Sequence, residues 1–142
     1  MQIAALLTIA VLAFGTTQFA LAKDTDTKND ASLDEINGPG SGEVKTEVRL
    51  GDRTKISVQI EDVPRPPNTD DVDACSDYTA TIGGEDVPGD FKFDGVTNAE
   101  DGLIGCDLDF DDRTNDGDIP SSLTGFVNVT GNGITLTGTL LD

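Results

Sequence analysis

The sequence predicts an all-β fold, a small antiparallel β-sandwich or barrel of about seven strands with one disulfide. Three observations predict it. Apolar and polar residues alternate with a period of two over several short segments, glycine-rich turns separate those segments, and no helical stripe of apolar residues follows residue 22. This spacing fits a sandwich as well as a barrel, so the choice between the two stays open.

The first 22 residues predict a signal peptide. An apolar run over residues 3–14 precedes the small residues Ala20-Leu21-Ala22, which a signal peptidase accepts. The run is about a dozen residues long, whereas a membrane-spanning helix needs roughly 20. We therefore expect cleavage before Lys23, secretion into the extracellular space and no membrane insertion.

Residues 23–42 predict a flexible acidic arm. The segment has many charged residues, almost no large apolar ones and a Gly-Pro-Gly-Ser-Gly exit. It cannot bury enough apolar surface to offset the entropy lost on ordering. Residues 43–142 then form a single all-β domain of ordinary size.

Within this domain the period of two assigns the strands. Residues 43–50 and 54–62 alternate apolar with mostly charged or polar side chains, which predicts a hairpin with oppositely charged residues on its outer face. The later strands are shorter. We expect them at residues 78–82, 91–93, 104–110, 125–130 and 133–141, with Gly131-Asn132-Gly133 turning the last hairpin.

Cys75 and Cys106 are the only cysteines of the chain, and we expect them to form a disulfide. Such a bond persists in the oxidising environment outside the cell. Bonded cysteines hold their Cα atoms roughly 4.4 to 6.8 Å apart. The bond therefore draws the acidic segment 70–77 towards the acidic segment 107–118.

Composition excludes several functions. The net charge of −18 repels phosphate backbones and anionic lipid heads, so we expect no nucleic-acid partner. The chain has no histidine, which removes histidine-based catalysis and ordinary zinc sites. We therefore predict no catalytic residues and no enzyme activity.

An aspartate-rich segment after the second cysteine suggests calcium. Residues 112–119 resemble the first part of an EF-hand or dockerin loop, with Asp112, Thr114 and Asp116 at the first three ligand positions and Gly117 at the sharp turn. The resemblance ends at the twelfth position, where Leu123 replaces the glutamate, so further ligands must come from elsewhere. The resemblance and the expected disulfide together predict calcium at Asp73, Asp77, Asp107, Asp109, Asp112, Thr114, Asp116 and Asp118.

Asn128-Val129-Thr130 is the single N-glycosylation sequon of the chain. Because Val127 and Val129 are expected to face inward, Asn128 faces solvent, as an acceptor must. We therefore predict a glycan on Asn128 in a eukaryotic host.

Three classes of function stay open. The first is a secreted interaction module, effector-like or adhesion-type, that binds an extracellular protein or glycan. The second is a calcium-stabilised extracellular structural or matrix component, for which ion-dependent stability is the discriminating observation. The third is a small hydrolase, which needs a fixed aspartate pair inside a concave pocket.

Overall fold

The computed structural model describes residues 26–49 and 53–142, and every regular element in these ranges is a β-strand. This confirms the all-β prediction, with nine strands where about seven were expected. The predicted signal peptide lies outside the described residues. The strands are β1 Thr27–Glu35, β2 Ser41–Arg49, β3 Arg53–Pro64, β4 Thr79–Ile82, β5 Glu85–Asp86, β6 Lys92–Asn98, β7 Leu103–Asp111, β8 Gly125–Gly131 and β9 Ile134–Leu140.

All nine strands form one antiparallel sheet with the order β5-β4-β8-β9-β1-β2-β3-β7-β6. The sheet curls into a half-barrel. Its two edge strands, β5 and β6, are consecutive along the chain. The connection at residues 87–91 therefore runs from one edge of the sheet to the other.

The core lies on the inner face of this curled sheet. Alternate apolar side chains of the strands point inward and lose almost all solvent contact, while the residues between them face outward. No helix covers the inner face within the described ranges, so the sheet buries its apolar face by curling over it. The largest fully buried side chains are Phe110, Leu33, Ile56, Ile60, Ile82, Ile104, Leu108, Leu136, Leu140, Val44, Val58 and Val63.

The arm expected to be flexible is in fact largely part of the sheet. Thr27–Glu35 forms β1, which pairs with β2 along eight residue pairs and with β9 at its end. Ala31 and Leu33 face inward, and Leu33 is fully buried. The polar composition was misleading because β2 pairs with almost the whole of β1 and β9 pairs with its end, so two inward apolar side chains are enough to hold the strand.

The predicted Cys75–Cys106 disulfide is confirmed, with the Cα atoms 5.9 Å apart. It joins the turn before β4 to the middle of β7. Two further hydrogen bonds also join the β4 side of the sheet to the β3 and β7 side. The Tyr78 hydroxyl donates to the Pro64 carbonyl oxygen at 2.6 Å, and the Asn132 side-chain amide donates to the same oxygen at 3.1 Å. Burial raises the pKa of Tyr78 to about 12. These contacts hold the two ends of the curled sheet together.

Removing the disulfide should weaken the fold without changing it. The cysteines are 31 residues apart in sequence, and the entropy of closing such a loop is worth about 3 to 4 kcal/mol. We expect the Cys75→Ala/Cys106→Ala variant to lose about that much free energy of unfolding in urea denaturation. The wild-type protein in reductant should match the double variant. Equal stability of the oxidised protein and the variant would contradict the role of the bond.

Candidate functional site: a neutral sheet face

The outer surface of the sheet has two chemically different halves. Charged side chains line the half formed by β1, β2, β3, β7 and β6. In contrast, β4, β8 and β9 contain no Asp, Glu, Lys or Arg. The three uncharged strands are neighbours in the sheet, so they form one continuous surface.

In the charged half, opposite charges face each other across strands. Lys28 lies opposite Glu47, Glu47 opposite Lys55, and Lys55 opposite Asp111. The Lys28 ammonium is 3.6 Å from a Glu47 carboxylate oxygen, and the Lys55 ammonium is 3.8 Å from one of Asp111. Positive and negative side chains thus alternate along a row that crosses four strands.

Asp111 organises the end of this row. The Arg53 guanidinium donates to both carboxylate oxygens of Asp111, with Nε at 3.1 Å from Oδ1. The backbone N–H of Arg113 donates to the same Oδ1 at 3.2 Å. These donors hold the pKa of Asp111 at about 2. Asp111 therefore stays ionised at neutral pH, with its charge already compensated.

The segment that resembles a calcium loop is also arranged around Asp111. The backbone N–H groups of Thr114 and Asn115 donate to the Asp111 carbonyl oxygen at 3.0 and 2.9 Å. The Thr114 hydroxyl donates to the Asn115 side-chain oxygen at 3.2 Å. Asp112 is half-buried, and its Oδ1 has no hydrogen-bond partner. The turn is therefore closed by its own hydrogen bonds.

The structure does not bring the eight predicted calcium ligands together. Within residues 26–49 and 53–142, no three His, Cys, Asp or Glu side chains are grouped closely enough to hold a metal ion. Calcium binding stays a prediction, and an unchanged melting temperature in millimolar calcium would reject it. The ligands lie in the turn before β4 (Asp73, Asp77), on β7 (Asp107, Asp109) and in the connection after β7 (Asp112, Thr114, Asp116, Asp118).

Asp107 is the carboxylate of the charged half that is least well compensated. Its Oδ1 is buried without a hydrogen-bond partner. Burial raises its pKa to about 6, together with repulsion from Asp94, a side-chain hydrogen bond to the same residue, and weaker repulsion from Asp109 and Glu61. We expected Asp73 and Asp77 to crowd this residue across the disulfide. The repelling groups are instead on β7 itself and on its two neighbouring strands, β6 and β3.

This carboxylate should make stability depend on pH. The pKa of Asp107 is about 6 in the folded protein, above its ordinary value of 3.8, so the folded state holds the proton more tightly. The protonated Asp107 side chain therefore stabilises the folded state. This contribution is complete below pH 3.8 and is lost as the pH rises through 6. At pH 7 we expect Asp107→Asn to raise the free energy of unfolding by about 1 kcal/mol, less than the full pKa difference because the side chain is partly exposed.

Urea denaturation at pH 4 and pH 7 measures this effect. Asp30→Asn, at an exposed position of β1, is the matched control and should change stability by less than about 0.5 kcal/mol at either pH. The advantage of Asp107→Asn should shrink at pH 4. Identical stability of Asp107→Asn and the wild type at pH 7 would show that the ionised Asp107 carboxylate does not destabilise the fold.

The uncharged half presents what we call the neutral face. Phe126 lies next to Thr139, and Asn128 lies between Thr81 and Thr137 in register across three strands. Directly paired residues share a face, so these side chains all point outward. The neutral face consists of Thr79 and Thr81 on β4, Phe126, Asn128 and Thr130 on β8, and Thr135, Thr137 and Thr139 on β9.

Acidic residues border the neutral face on both sides. Asp86 on β5 lies opposite Thr81, and Asp34 on β1 lies opposite Thr137. Within the face, Phe126 is 71 % exposed, the only aromatic among the large exposed apolar side chains of the described ranges. An exposed phenyl ring on a surface of hydroxyl and amide groups is the feature that sets this half of the sheet apart.

The chain matches no protein-family model, and no curated protein or solved structure is significantly similar to it. In the part of the chain that the structure describes, no helix is long and apolar enough to cross a membrane.

The predicted glycosylation residue lies in the middle of the neutral face. Asn128 is half-buried between Thr81 and Thr137. Glycosylation stays a prediction, and mass spectrometry of the secreted protein tests it. A glycan at this position would stand on the neutral face and cover it.

Sequence reasoning placed the functional residues in the acidic segments and missed the neutral face. A signal was available: residues 119–141 contain no charged residue, although the chain has 27 acidic ones. Threonines also alternate with apolar residues in β4 and through the first half of β9. Only the strand order shows that these segments are adjacent.

Proposed function

We propose that the protein is a secreted, non-enzymatic interaction module that binds an extracellular partner through the neutral face. The observation that carries the proposal is the absence of charge from three adjacent strands of a protein whose net charge is −18. Interface centres are depleted of charged residues and enriched in aromatic ones. The neutral face has no charged residue, and its one aromatic side chain, Phe126, is 71 % exposed.

The charged half of the sheet is a less suitable interface. Several of its charges are matched within the protein, as in the Arg53–Asp111 and Lys28–Glu47 pairs. A partner that covers them must desolvate groups that already have partners, which costs free energy. The neutral face has no charge to desolvate, so contact there is less costly.

Export is supported by two independent features. The disulfide fits an oxidising environment, and the first 22 residues have the pattern of a signal peptide. Sequencing of the protein from culture supernatant should give an N-terminus at Lys23. Retention of residues 1–22 on the native protein would contradict cleavage and export by this route.

The non-enzymatic part of the proposal rests on composition. The chain has no histidine, and both cysteines are used in the disulfide. Asp111, the carboxylate with the most hydrogen-bond donors, is bound to Arg53 and holds the turn after β7. These residues have structural roles that require no substrate.

A charge placed in the neutral face should prevent binding. We expect Thr137→Lys to reduce retention of labelled protein on the cell surface and matrix of the source organism by at least about fivefold, because the new ammonium must be desolvated at the contact. Thr137 is half-buried and faces outward on a strand with neighbours on both sides.

Ser57→Lys is the matched control. Ser57 is also half-buried, and it faces outward on β3 between Lys45 and Asp109. This variant adds the same charge to the other half of the sheet and should bind like the wild type. Equal loss in both variants would indicate a general charge effect, and no loss in Thr137→Lys would reject the neutral face as the binding surface.

A further inference from the structure

We infer that the neutral face binds a neutral polysaccharide, with the Phe126 ring stacked on a sugar and the surrounding threonine and asparagine side chains hydrogen-bonded to sugar hydroxyls. This inference rests on the proposed function and names the chemical class of its partner. It depends on three properties of the face: its hydrogen-bonding groups, the exposure of its aromatic ring, and its lack of charge.

The polar groups of the face suit sugar hydroxyls. A threonine hydroxyl donates one hydrogen bond and accepts others, and an asparagine amide does both through separate atoms. A sugar hydroxyl also donates and accepts, so either orientation finds a partner. Seven of the eight side chains that define the neutral face are threonine or asparagine. One hydrogen bond within the face, between the Thr79 and Thr130 hydroxyls, is long at 3.4 Å.

The cross-strand neighbours of Phe126 are small, so they leave its ring accessible to a ligand on the outer face of the sheet. Its neighbour on the β4 side is Gly83, whose backbone N–H donates to the Phe126 carbonyl oxygen at 2.8 Å and which has no side chain. Its neighbour on the β9 side is the short, exposed Thr139. The apolar C–H face of a sugar ring can therefore lie flat on the phenyl ring, which removes apolar surface from water on both sides.

The spacing of the face suits a polymer. Outward side chains recur about every 6.8 Å along a strand and about every 4.8 Å across strands, so the hydroxyls form a regular array. A chain of repeating sugars presents its hydroxyls at regular intervals. Several weak contacts made in this way add up, because each unit holds the next one close to the surface.

The chemistry favours this class of ligand over others. A protein interface needs a core of several large apolar or aromatic side chains, whereas the neutral face has only Phe126. Anionic polymers are repelled by the net charge of −18 and by Asp34 and Asp86 at the borders of the face. A neutral polymer with many hydroxyls meets neither obstacle.

Co-sedimentation with insoluble polysaccharides tests the inference. The probes are cellulose, chitin and β-1,3-glucan, with heparin immobilised on agarose beads as an anionic comparison, and the protein is made in a host that adds no N-glycan. We expect at least one neutral probe to retain the protein and heparin to show no binding. Phe126→Ser should weaken retention by at least about fivefold, and Phe126→Tyr, which keeps the ring, should restore most of it.

Control variants separate loss of binding from loss of fold. Val72→Ser removes an apolar side chain that is 83 % exposed outside the neutral face, and it should bind like the wild type. Melting temperatures of all variants should agree, because Phe126 and Val72 are both exposed. Retention by Phe126→Ser equal to that of the wild type would overturn the inference.

Failure of this inference can be distinguished from failure of the proposed function. If no neutral polysaccharide retains the protein but Thr137→Lys still loses binding to native extracellular material, the partner is not a neutral polysaccharide and the face remains the binding surface. If neither Phe126→Ser nor Thr137→Lys reduces binding, both proposals are wrong.

Discussion

A single sheet that has to bury its own apolar face is the constraint on which the rest of this structure depends. No helical layer covers the core in the described ranges, so the inner side chains are removed from water only if the sheet curls. The Cys75–Cys106 bond and the Tyr78 hydrogen bond to Pro64 hold the curled ends together. As a consequence, the residues between the inward side chains face solvent in most strands, so the outer surface is made mainly of the polar residues of those strands.

Seven of the nine strands could be predicted from the period of two, and six of them carry inward apolar residues that make the alternation visible. The seventh, β6, has no buried residue and was predicted only from Phe91 and Phe93 at its start. The other two could not. β1 contains only Ala31 and Leu33 as inward apolar residues among charged ones, and it is held by the neighbouring strands rather than by its own composition. β5 is two residues long, too short for any period to appear. Both depend on contacts that are distant in sequence.

The candidate site was less predictable than the fold, because sequence gives the number of charges but not their partners. Asp111 has Arg53 as its partner, 58 residues earlier, so a residue beside the supposed calcium loop is already neutralised. The carboxylates that repel Asp107 lie on β7 and its neighbouring strands, not across the disulfide. The uncharged stretch 119–141 was visible in the sequence. Its meaning appeared only when the strand order placed β8 between β4 and β9.

Asn128 bears on both of the ways in which we propose that the neutral face meets a sugar, as the carrier of an N-linked glycan and as part of the polysaccharide-binding surface. It lies at the centre of the face, half-buried between Thr81 and Thr137. An N-linked glycan on this amide would occupy the surface that a polysaccharide would otherwise contact, so the two cannot occur together on one molecule. The unmodified amide donates and accepts hydrogen bonds like the hydroxyls around it. Modification of this one residue would therefore determine whether the neutral face is open to the proposed external ligand or covered by the protein's own glycan.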